Sequence, residues 1–401
     1  MYEPNKLVCD CCERVYDITN KRILCDCGCL LTIEIGDTDF NWSIVRGRPM
    51  GVWRYRELIP TPREAFIVSM GEGGTPLIEM VRLNSVLKLR GVKVKFEGSN
   101  PTGSFKDRGL TVASTMALFF KCRAMIVAST GNTASSMSAY ARRAGLKPIV
   151  IIPSSGVARG KLGQLKLYGA LIVEVSGGFD EAMKAVIEYS KIGSDIYIVN
   201  SINPWRIEGQ KTIAYEIIEQ HGVPDWVVVP VGNGGNIYSI WKGFKEILRL
   251  GLIDKIPRML AVQALGSSPI LRAYKSGVYE PFKEPRTIAS AIRIGNPVHW
   301  RRVLRVIEES RGAVVGVDDS EIIRAHKEIA RLEGLGLETS SSTTLAGLKK
   351  ALEDKVVDRG ENAILVATGH ALKEPEIIDS YDLELIKVDS VNDLISILSK
   401  L

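Results

Sequence analysis

The sequence predicts an α/β protein with two lobes, each built on a parallel-rich sheet, and a small cysteine-rich unit before them. From about residue 93 onward, short apolar segments rich in β-branched residues alternate with helical patterns, which is typical of parallel sheets covered on both faces. A chain of 401 residues is long enough for two such lobes. Six of the seven cysteines lie within residues 9–29, so the first segment differs in composition from the rest.

Residues 1–36 are predicted to form the cysteine-rich unit. Its two cysteine turns each lie beside apolar β-forming residues, which predicts two small hairpins. No apolar run approaches the roughly 18–20 residues that span a bilayer, and the N-terminus lacks an apolar core of signal-peptide length. We therefore expect a cytoplasmic protein, in which clustered cysteines hold a metal rather than disulfides.

The two lobes are predicted from eight strand-like segments. We expect residues 37–105 and 201–401 to form a large domain and residues 106–200 a small α/β domain. The eight segments are VKVKFEG (92–98), AMIVAS (124–129), PIVIIP (148–153), LIVEVS (171–176), IYIVNS (196–201), WVVVPVG (226–232), MLAVQA (259–264) and AILVAT (363–368).

The charged residues give little support for a nucleic-acid partner. The formal net charge is +6, but the basic residues are scattered and form no long Lys/Arg block. A soluble enzyme that handles anionic substrates fits this balance at least as well.

Lys106 lies in SNPTGSFKDRG (99–109), where Gly103 and Ser104 allow a tight turn into a helix that starts near Phe105 or Lys106. A lysine at a helix N-terminus faces the positive end of the helix dipole, which favours the neutral amine. A neutral amine is the form that reacts with an aldehyde. The alternative is a solvated lysine paired with Asp107.

Two further loops follow predicted strands and open helices, which is where α/β proteins bind ligands. The first, 128–136, offers hydroxyl and amide groups that suit a carboxylate or a phenolic oxygen, with simple helix capping as the alternative. The second, 227–236, is glycine-rich and suits a phosphate, although Ile237 breaks the dinucleotide fingerprint. A tight turn without a ligand is the alternative there.

Thr368 ends the last predicted strand and could offer a neutral hydroxyl to a ring nitrogen. A reactive lysine, an anion loop, a phosphate loop and a hydroxyl partner at strand ends together describe a site for pyridoxal phosphate. The aldehyde of that cofactor needs the lysine, its phosphate needs the glycines, and its ring nitrogen needs a partner.

These loops resemble those of the tryptophan synthase β-like, fold-type II pyridoxal-phosphate enzymes, and among them the threonine synthase family. The resemblance runs from about residue 5 to residue 375. Its most specific motifs are GVWRYRELIP (51–60), GEGGTPL (71–77), NSINPWRIEGQKT (200–212), TIASAIRIGNPVHW (287–300) and ATGHALKEP (367–375).

The resemblance implies a carbon–oxygen lyase that converts O-phospho-L-homoserine and water to L-threonine and phosphate. Lys106 would bind the cofactor covalently and move protons, and the large domain would be the cofactor domain. Cofactor contacts would come from Lys106, Asn132, Gly232, Asn233, Gly234, Gly235, Asn236 and Thr368. The substrate carboxylate would meet Ser129, Thr130 and Thr133.

The resemblance also implies that Ser201 and Arg206 bind the substrate phosphate, since a guanidinium matches a phosphate in bidentate fashion. Without the resemblance, a surface ion pair between Arg206 and Glu208 is an equally good interpretation of Arg206. The resemblance also implies a homodimer. The apolar and charge patterns described above predict no membrane or nucleic-acid partner.

The N-terminal unit resembles the zinc ribbon of some threonine synthases, which implies a closed structural site of four thiolates. Cys11 or Cys29 could replace one of these ligands, and a ribbon that folds without metal is the alternative. The implied ligands are Cys9, Cys12, Cys25 and Cys27.

Two departures from the family pattern leave a rival reading open. Thr339 stands where threonine synthases often have proline, and Ala371 where they often have glycine. The rival is a paralogue that uses another phosphorylated amino acid, as cysteate synthase or an O-phosphoserine β-replacement enzyme would. A zinc-ribbon binding protein on an inactive enzyme scaffold is the alternative from a different class.

Overall fold

The structure is a computed structural model that describes residues 4–62, 64–154, 163–176, 186–189, 195–383 and 385–399. Across these residues, none of the helices combines the length and apolarity needed to cross a bilayer. The strands of the described residues form three sheets, one small and antiparallel, and two larger.

The N-terminal unit is a three-stranded antiparallel sheet of order β2-β1-β3. Strands β1 and β2 form the first predicted hairpin, whereas the second is reduced to an isolated bridge between Leu24 and Leu30 before β3. The strands are β1 (Lys6–Cys9), β2 (Val15–Asp17) and β3 (Leu31–Glu34).

The larger sheet has six strands in the order β12-β11-β10-β13-β5-β4. All are parallel except the edge strand β4, which pairs antiparallel to β5. The predicted segments account for every strand except β4 and β12. The strands are β4 (Leu77–Glu79), β5 (Gly91–Phe96), β10 (Trp226–Pro230), β11 (Arg258–Ala264), β12 (Ala313–Val317) and β13 (Asn362–Ala367).

The smaller sheet is parallel, with the order β8-β7-β6-β9, and all four of its strands were predicted segments. An α/β fold with parallel and mixed sheets is therefore confirmed. The two sheets divide the chain as the predicted domains do, although the domain boundaries stay a prediction. The strands are β6 (Ala124–Ala128), β7 (Lys147–Pro153), β8 (Leu171–Val175) and β9 (Ile196–Ile198).

Helices cover both faces of the larger sheet, and one buried apolar cluster fills each face. A third cluster joins the smaller sheet, its helices and the N-terminal unit. The helices are α1 (Val81–Leu87), α2 (Lys106–Phe119), α3 (Asn132–Arg143), α4 (Gly163–Leu167), α5 (Pro204–Gln210), α6 (Thr212–His221), α7 (Gly235–Arg249), α8 (Pro269–Ser276), α9 (Trp300–Glu309), α10 (Asp319–Glu333), α11 (Thr339–Glu353), α12 (Pro375–Ile378) and α13 (Val391–Leu398).

Helices α2 and α5 cross in close contact, and glycines permit it. A Cβ on Gly209 would lie 1.7 Å from the carbonyl oxygen of Arg108, and a Cβ on Gly109 would lie 2.9 Å from that of Arg206. Since Lys106 begins α2 and Arg206 lies on α5, this crossing fixes the two cations relative to each other.

Gly209→Ala is expected to lower the free energy of unfolding by about 3 kcal/mol or more, because the new Cβ meets backbone that no rotamer change can move away. Urea unfolding followed by circular dichroism measures it. Gly163→Ala is the matched control, since a Cβ at Gly163 has no neighbour within 4 Å among the described residues. Equal stability of the two variants would contradict the close crossing.

Candidate active site

A cavity of about 1190 Å³ lies at the carboxyl ends of strands from both larger sheets. Loops that follow β6, β10 and β13 line it, as expected for ligand sites of parallel sheets. All residues predicted to contact cofactor or substrate lie in its lining, so the structure brings together five segments that are far apart in sequence.

Lys106 is the first residue of α2, and its partly buried side chain lines this cavity. Its Nζ lies 4.1 Å from the centre of the Phe105 ring, and no described residue offers it a hydrogen bond or an ion pair. Burial, and then the Arg206 charge, lower the pKa of the amine to about 7, while Glu338 opposes them.

The alternative for Lys106, a solvated lysine paired with Asp107, is wrong. The Asp107 carboxylate is buried and accepts hydrogen bonds from Thr102 N at 2.7 Å, Thr102 Oγ1 at 2.6 Å and Ser136 Oγ at 2.5 Å. Asp107 therefore ties α2 to the preceding loop and to α3, and leaves the lysine free.

The lowered pKa makes a testable difference in reactivity. In cofactor-free protein, the rate of Schiff-base formation with pyridoxal should rise with pH and level off above about pH 7, because the Lys106 amine is then neutral. Absorbance measures this rate. In Arg206→Gln the midpoint should move to higher pH, since the repelling charge is removed. A rate that climbs toward pH 10 in the wild type would contradict a buried amine.

Asn132 begins α3, and its Nδ2 donates a 2.6 Å hydrogen bond to Oε1 of Glu338. Glu338 is buried at the start of α11 and was missed in the sequence analysis. Burial and the Glu374 carboxylate raise the pKa of Glu338 to about 7, against the hydrogen bond from Asn132. A Cβ on Gly369 would lie 2.2 Å from Glu338 Oε2, so a side chain there would displace the Glu338 carboxylate.

The loop Gly232–Asn236 connects β10 to α7, and backbone N–H groups at the start of that helix favour an anion. Gly234 has a φ of +87°, and a Cβ on it would lie 2.4 Å from Val303. Both polar side-chain atoms of Asn236 are buried without a hydrogen-bond partner among the described residues. A buried amide without hydrogen-bond partners is unusual, and a bound ligand would provide a partner. This favours a phosphate site over a tight turn without a ligand.

Thr368 follows β13 and is buried, with its Oγ1 3.0 Å from Ser341 Oγ. Its carbonyl accepts a 3.0 Å hydrogen bond from Phe105 N, the residue before the lysine. This backbone contact joins the last strand of the larger sheet to the start of α2.

Ser129, Thr130 and Thr133 lie in the loop between β6 and the first turn of α3. The Ser129 hydroxyl accepts a 3.3 Å hydrogen bond from Gly131 N, which shapes the loop. Hydroxyls beside a helix N-terminus can bind a carboxylate.

Arg206 lies on α5 and is buried, which excludes the predicted alternative of a surface ion pair with Glu208. Glu208 instead pairs with Lys211 and Lys242. Nη1 of Arg206 donates to the carbonyl of Val199 at 3.0 Å, but its buried Nε has no partner among the described residues. Burial lowers the pKa of Arg206 to about 10, so it still carries its charge at neutral pH.

The two departures from the family pattern lie outside the cavity lining. Thr339 donates from both N and Oγ1 to Oε2 of Glu374 at 2.8 Å, and a proline there would lack that N–H. Ala371 is buried and donates its N–H to the carbonyl of Gly336 at 3.1 Å. The two substituted residues therefore lie behind the cavity lining and do not form part of its surface.

The four cysteines predicted as metal ligands lie together in the N-terminal unit, with all sulfur atoms within 4.8 Å of one another. The sulfurs of Cys9 and Cys27 are 3.4 Å apart, and those of Cys12 and Cys25 are 3.6 Å apart. Zinc–sulfur bonds of about 2.3 Å in a tetrahedron give a sulfur–sulfur separation of about 3.8 Å. The cluster is therefore of the size that a tetrahedral zinc ion needs.

The prediction that the cysteines form no disulfide is wrong, because Cys11 and Cys29 are bonded to each other. The two cysteine turns fold around one cluster, which brings these flanking residues to a Cα separation of 6.2 Å, within the range that a disulfide bridges. The pairing also removes Cys11 and Cys29 as substitute metal ligands.

Comparison with known proteins agrees with this geometry. Residues 68–369 match the family model of pyridoxal-phosphate dependent enzymes, which covers both larger sheets. The class of protein is therefore a pyridoxal-phosphate-dependent α/β enzyme.

The chain is 46% identical to threonine synthase of Methanocaldococcus jannaschii, over 98% of this chain and 99% of that protein. It is 43% identical to threonine synthase of Mycobacterium tuberculosis, over 84% of this chain and 92% of that protein. The solved structure of Escherichia coli threonine synthase shares the fold, with a TM-score of 0.73, 20% identity, and 95% of this chain and 93% of that chain covered. The chain belongs to the threonine synthase family.

Proposed function

We propose that this protein converts O-phospho-L-homoserine and water to L-threonine and phosphate, as a pyridoxal-phosphate-dependent lyase that breaks a carbon–oxygen bond. The observation that carries the proposal is that one cavity is lined by Lys106 and by two groups whose chemistry suits an anion. One is the loop Gly232–Asn236, and the other is the buried Arg206, with Ser201 also in the lining. A cofactor phosphate and a substrate phosphate account for both.

The cofactor would be held by groups whose chemistry fits it. Lys106 would supply the amine, Asn132 would bind the ring hydroxyl, and Thr368 would offer the ring nitrogen a neutral hydroxyl that does not enforce ring protonation. Gly232, Asn233, Gly234, Gly235 and Asn236 would hold the phosphate. When bound, pyridoxal phosphate supplies an aldehyde for the substrate amine and a ring that withdraws electrons from the α-carbon.

The residues of the chain then divide the remaining tasks. Lys106, with a pKa near neutrality, would remove the α-proton and later return it to the α-carbon. It would also remove a β-proton as phosphate leaves the γ-carbon, and a proton delivered to the γ-carbon balances that loss. Water adds at the β-carbon. Ser129, Thr130 and Thr133 orient the substrate carboxylate, so that the reacting carbons stay beside the lysine.

Arg206 and Ser201 bind the leaving phosphate. The Arg206 guanidinium is buried and charged, and its free Nε gives it a donor to direct at a phosphate oxygen. Holding the departing dianion in place stabilises the charge that develops as the bond to the γ-carbon breaks.

A paralogue that uses another phosphorylated amino acid is not favoured by the relatives, which carry the name threonine synthase. Parallel assays of the holoenzyme with O-phosphohomoserine, and with O-phosphoserine plus sulfite or sulfide, test the choice. Threonine and phosphate in equal amounts from the first assay are expected. Product in only the second assay would show that the protein catalyses β-replacement and not threonine synthesis.

We also propose that Cys9, Cys12, Cys25 and Cys27 hold a structural zinc ion. Four protein thiolates close the coordination sphere, so the metal would stabilise the N-terminal unit and take no part in the reaction. The homodimer remains a prediction that rests on the resemblance, and sedimentation of the holoenzyme tests it. The cytoplasmic location remains a prediction that rests on the apolar pattern of the sequence.

The zinc proposal predicts about one zinc ion per chain in the purified protein. The double variant Cys12→Ser/Cys27→Ser should lose the metal and melt at a lower temperature, because metal binding stabilises only the folded unit. Elemental analysis and thermal unfolding measure both effects. Cys11→Ser is the matched control, since it leaves all four clustered thiols in place and should retain zinc. Equal zinc loss in both variants would contradict this ligand set.

A further inference from the structure

A chain of polar contacts runs from the N-terminal unit to the proposed phosphate sites. It begins at Asp10, beside the proposed ligand Cys9, and passes through Arg302 on α9 and His299, the residue before α9, to Ser201 and Asn233. The side chains of Asp10, Arg302 and His299 have no role in the function proposed above, and both Arg302 and His299 are buried.

Arg302 is fixed by the N-terminal unit. Its Nε donates to Asp10 Oδ2 at 2.6 Å, and its Nη2 donates to the carbonyl of Leu31 and to Thr32 Oγ1, each at 2.9 Å. The guanidinium also lies 4.5 Å from the centre of the Tyr238 ring. Three residues of the small antiparallel sheet and its first turn thus hold one arginine of the large lobe.

Arg302 in turn fixes His299. Nη1 of Arg302 lies 3.3 Å from His299 Nδ1, and because arginine can only donate, Nδ1 is the acceptor. The ring proton is therefore on Nε2, which donates a 2.9 Å hydrogen bond to the carbonyl of Ser201. Burial and the Arg302 charge lower the pKa of His299 to about 3, so the ring stays neutral.

His299 holds two cavity loops at once. Besides the bond from its ring to Ser201, its backbone N–H donates to the carbonyl of Asn233 at 3.1 Å. Ser201 belongs to the proposed substrate-phosphate site, and Asn233 to the proposed cofactor-phosphate loop. The ring also lies beside Gly235, whose Cβ would be 3.5 Å from His299 Nε2.

We propose that His299 and Arg302 are positioning residues for substrate phosphate, through which the N-terminal unit sets the place of the Ser201 loop. The inference rests on the proposed function, since it takes Ser201 as part of the phosphate site. Neither residue lines the cavity, so both act through the Ser201 loop and not by contact with substrate.

Inorganic phosphate binding to the holoenzyme is the test, because the bound cofactor leaves only the substrate-phosphate site for it. His299→Leu and Arg302→Met should each raise the phosphate dissociation constant about tenfold, with a parallel rise in KM for O-phosphohomoserine and a change in kcat of less than about threefold. His299→Gln keeps an N–H donor near the Nε2 position and should recover most of the affinity. Arg305→Met, on the exposed side of α9, is the control and should match the wild type.

Unchanged phosphate affinity in folded, cofactor-loaded His299→Leu and Arg302→Met would overturn the proposal. If those variants do not fold, Asp10→Asn is tested instead, and we expect its phosphate affinity to be about threefold weaker. An unchanged phosphate affinity in Asp10→Asn would then overturn the proposal. A wild-type holoenzyme that binds phosphate but does not turn over O-phosphohomoserine would contradict the proposed function and leave the positioning proposal standing. A wild type that binds no phosphate would sink both.

Discussion

Lys106→Ala is expected to lower kcat for threonine formation by at least about 10⁴-fold, because one amine both holds the cofactor and moves the protons. The loss should persist at saturating substrate, since the chemical step itself is affected. Phosphate release measures it. Borohydride treatment should fix the cofactor on Lys106 in the wild type, and peptide mapping should find no labelled lysine in the variant.

Lys166→Met is the matched control, since Lys166 is an exposed lysine of the same lobe. It should keep the wild-type kcat and the wild-type absorption spectrum. A Lys106→Ala protein that retains more than about a hundredth of the activity, while still binding the cofactor, would show that another group moves the protons.

Arg206→Gln is expected to lower kcat/KM for O-phosphohomoserine by about 10²- to 10³-fold, since losing a buried charge that pairs with a phosphate costs about 3–4 kcal/mol. Steady-state kinetics on phosphate release measure it. Cofactor binding should change little, because the cofactor phosphate is assigned to the loop Gly232–Asn236.

A substrate without phosphate separates a specific effect of Arg206 from general damage. If the holoenzyme deaminates L-serine or L-threonine slowly, that side reaction should survive in Arg206→Gln within about threefold. Arg305→Gln, an exposed arginine, should leave both reactions unchanged. An equal loss of both activities in Arg206→Gln would assign the residue to the fold and not to the phosphate.

The features that sequence predicted well are local ones. Short apolar runs bounded by glycine, proline or polar residues indicated all eight predicted strands, and the loops after β6, β10 and β13 hold many of the candidate site residues. Strand β12 was missed because Gly316 interrupts its apolar run, where a Cβ would lie 2.5 Å from Leu265. Edge strand β4 has three residues, too few for a periodic signal.

The features that sequence missed join residues far apart in the chain. Glu338 meets Asn132 across 206 positions, and His299 meets Ser201 across 98. Nothing in the sequence near Glu338 marks it as a buried carboxylate, although it directly precedes Thr339, one of the two departures from the family pattern. The Cys11–Cys29 bond was missed for the same reason, because only the folded turns bring those residues together.

The most direct test of threonine synthesis follows the oxygen of water. The holoenzyme is incubated with O-phosphohomoserine in water labelled with ¹⁸O, and both products are analysed by mass spectrometry. We predict labelled threonine and unlabelled phosphate in equal amounts, since the carbon–oxygen bond breaks and water adds at the β-carbon. Labelled phosphate together with homoserine would show phosphate-ester hydrolysis and would contradict the account.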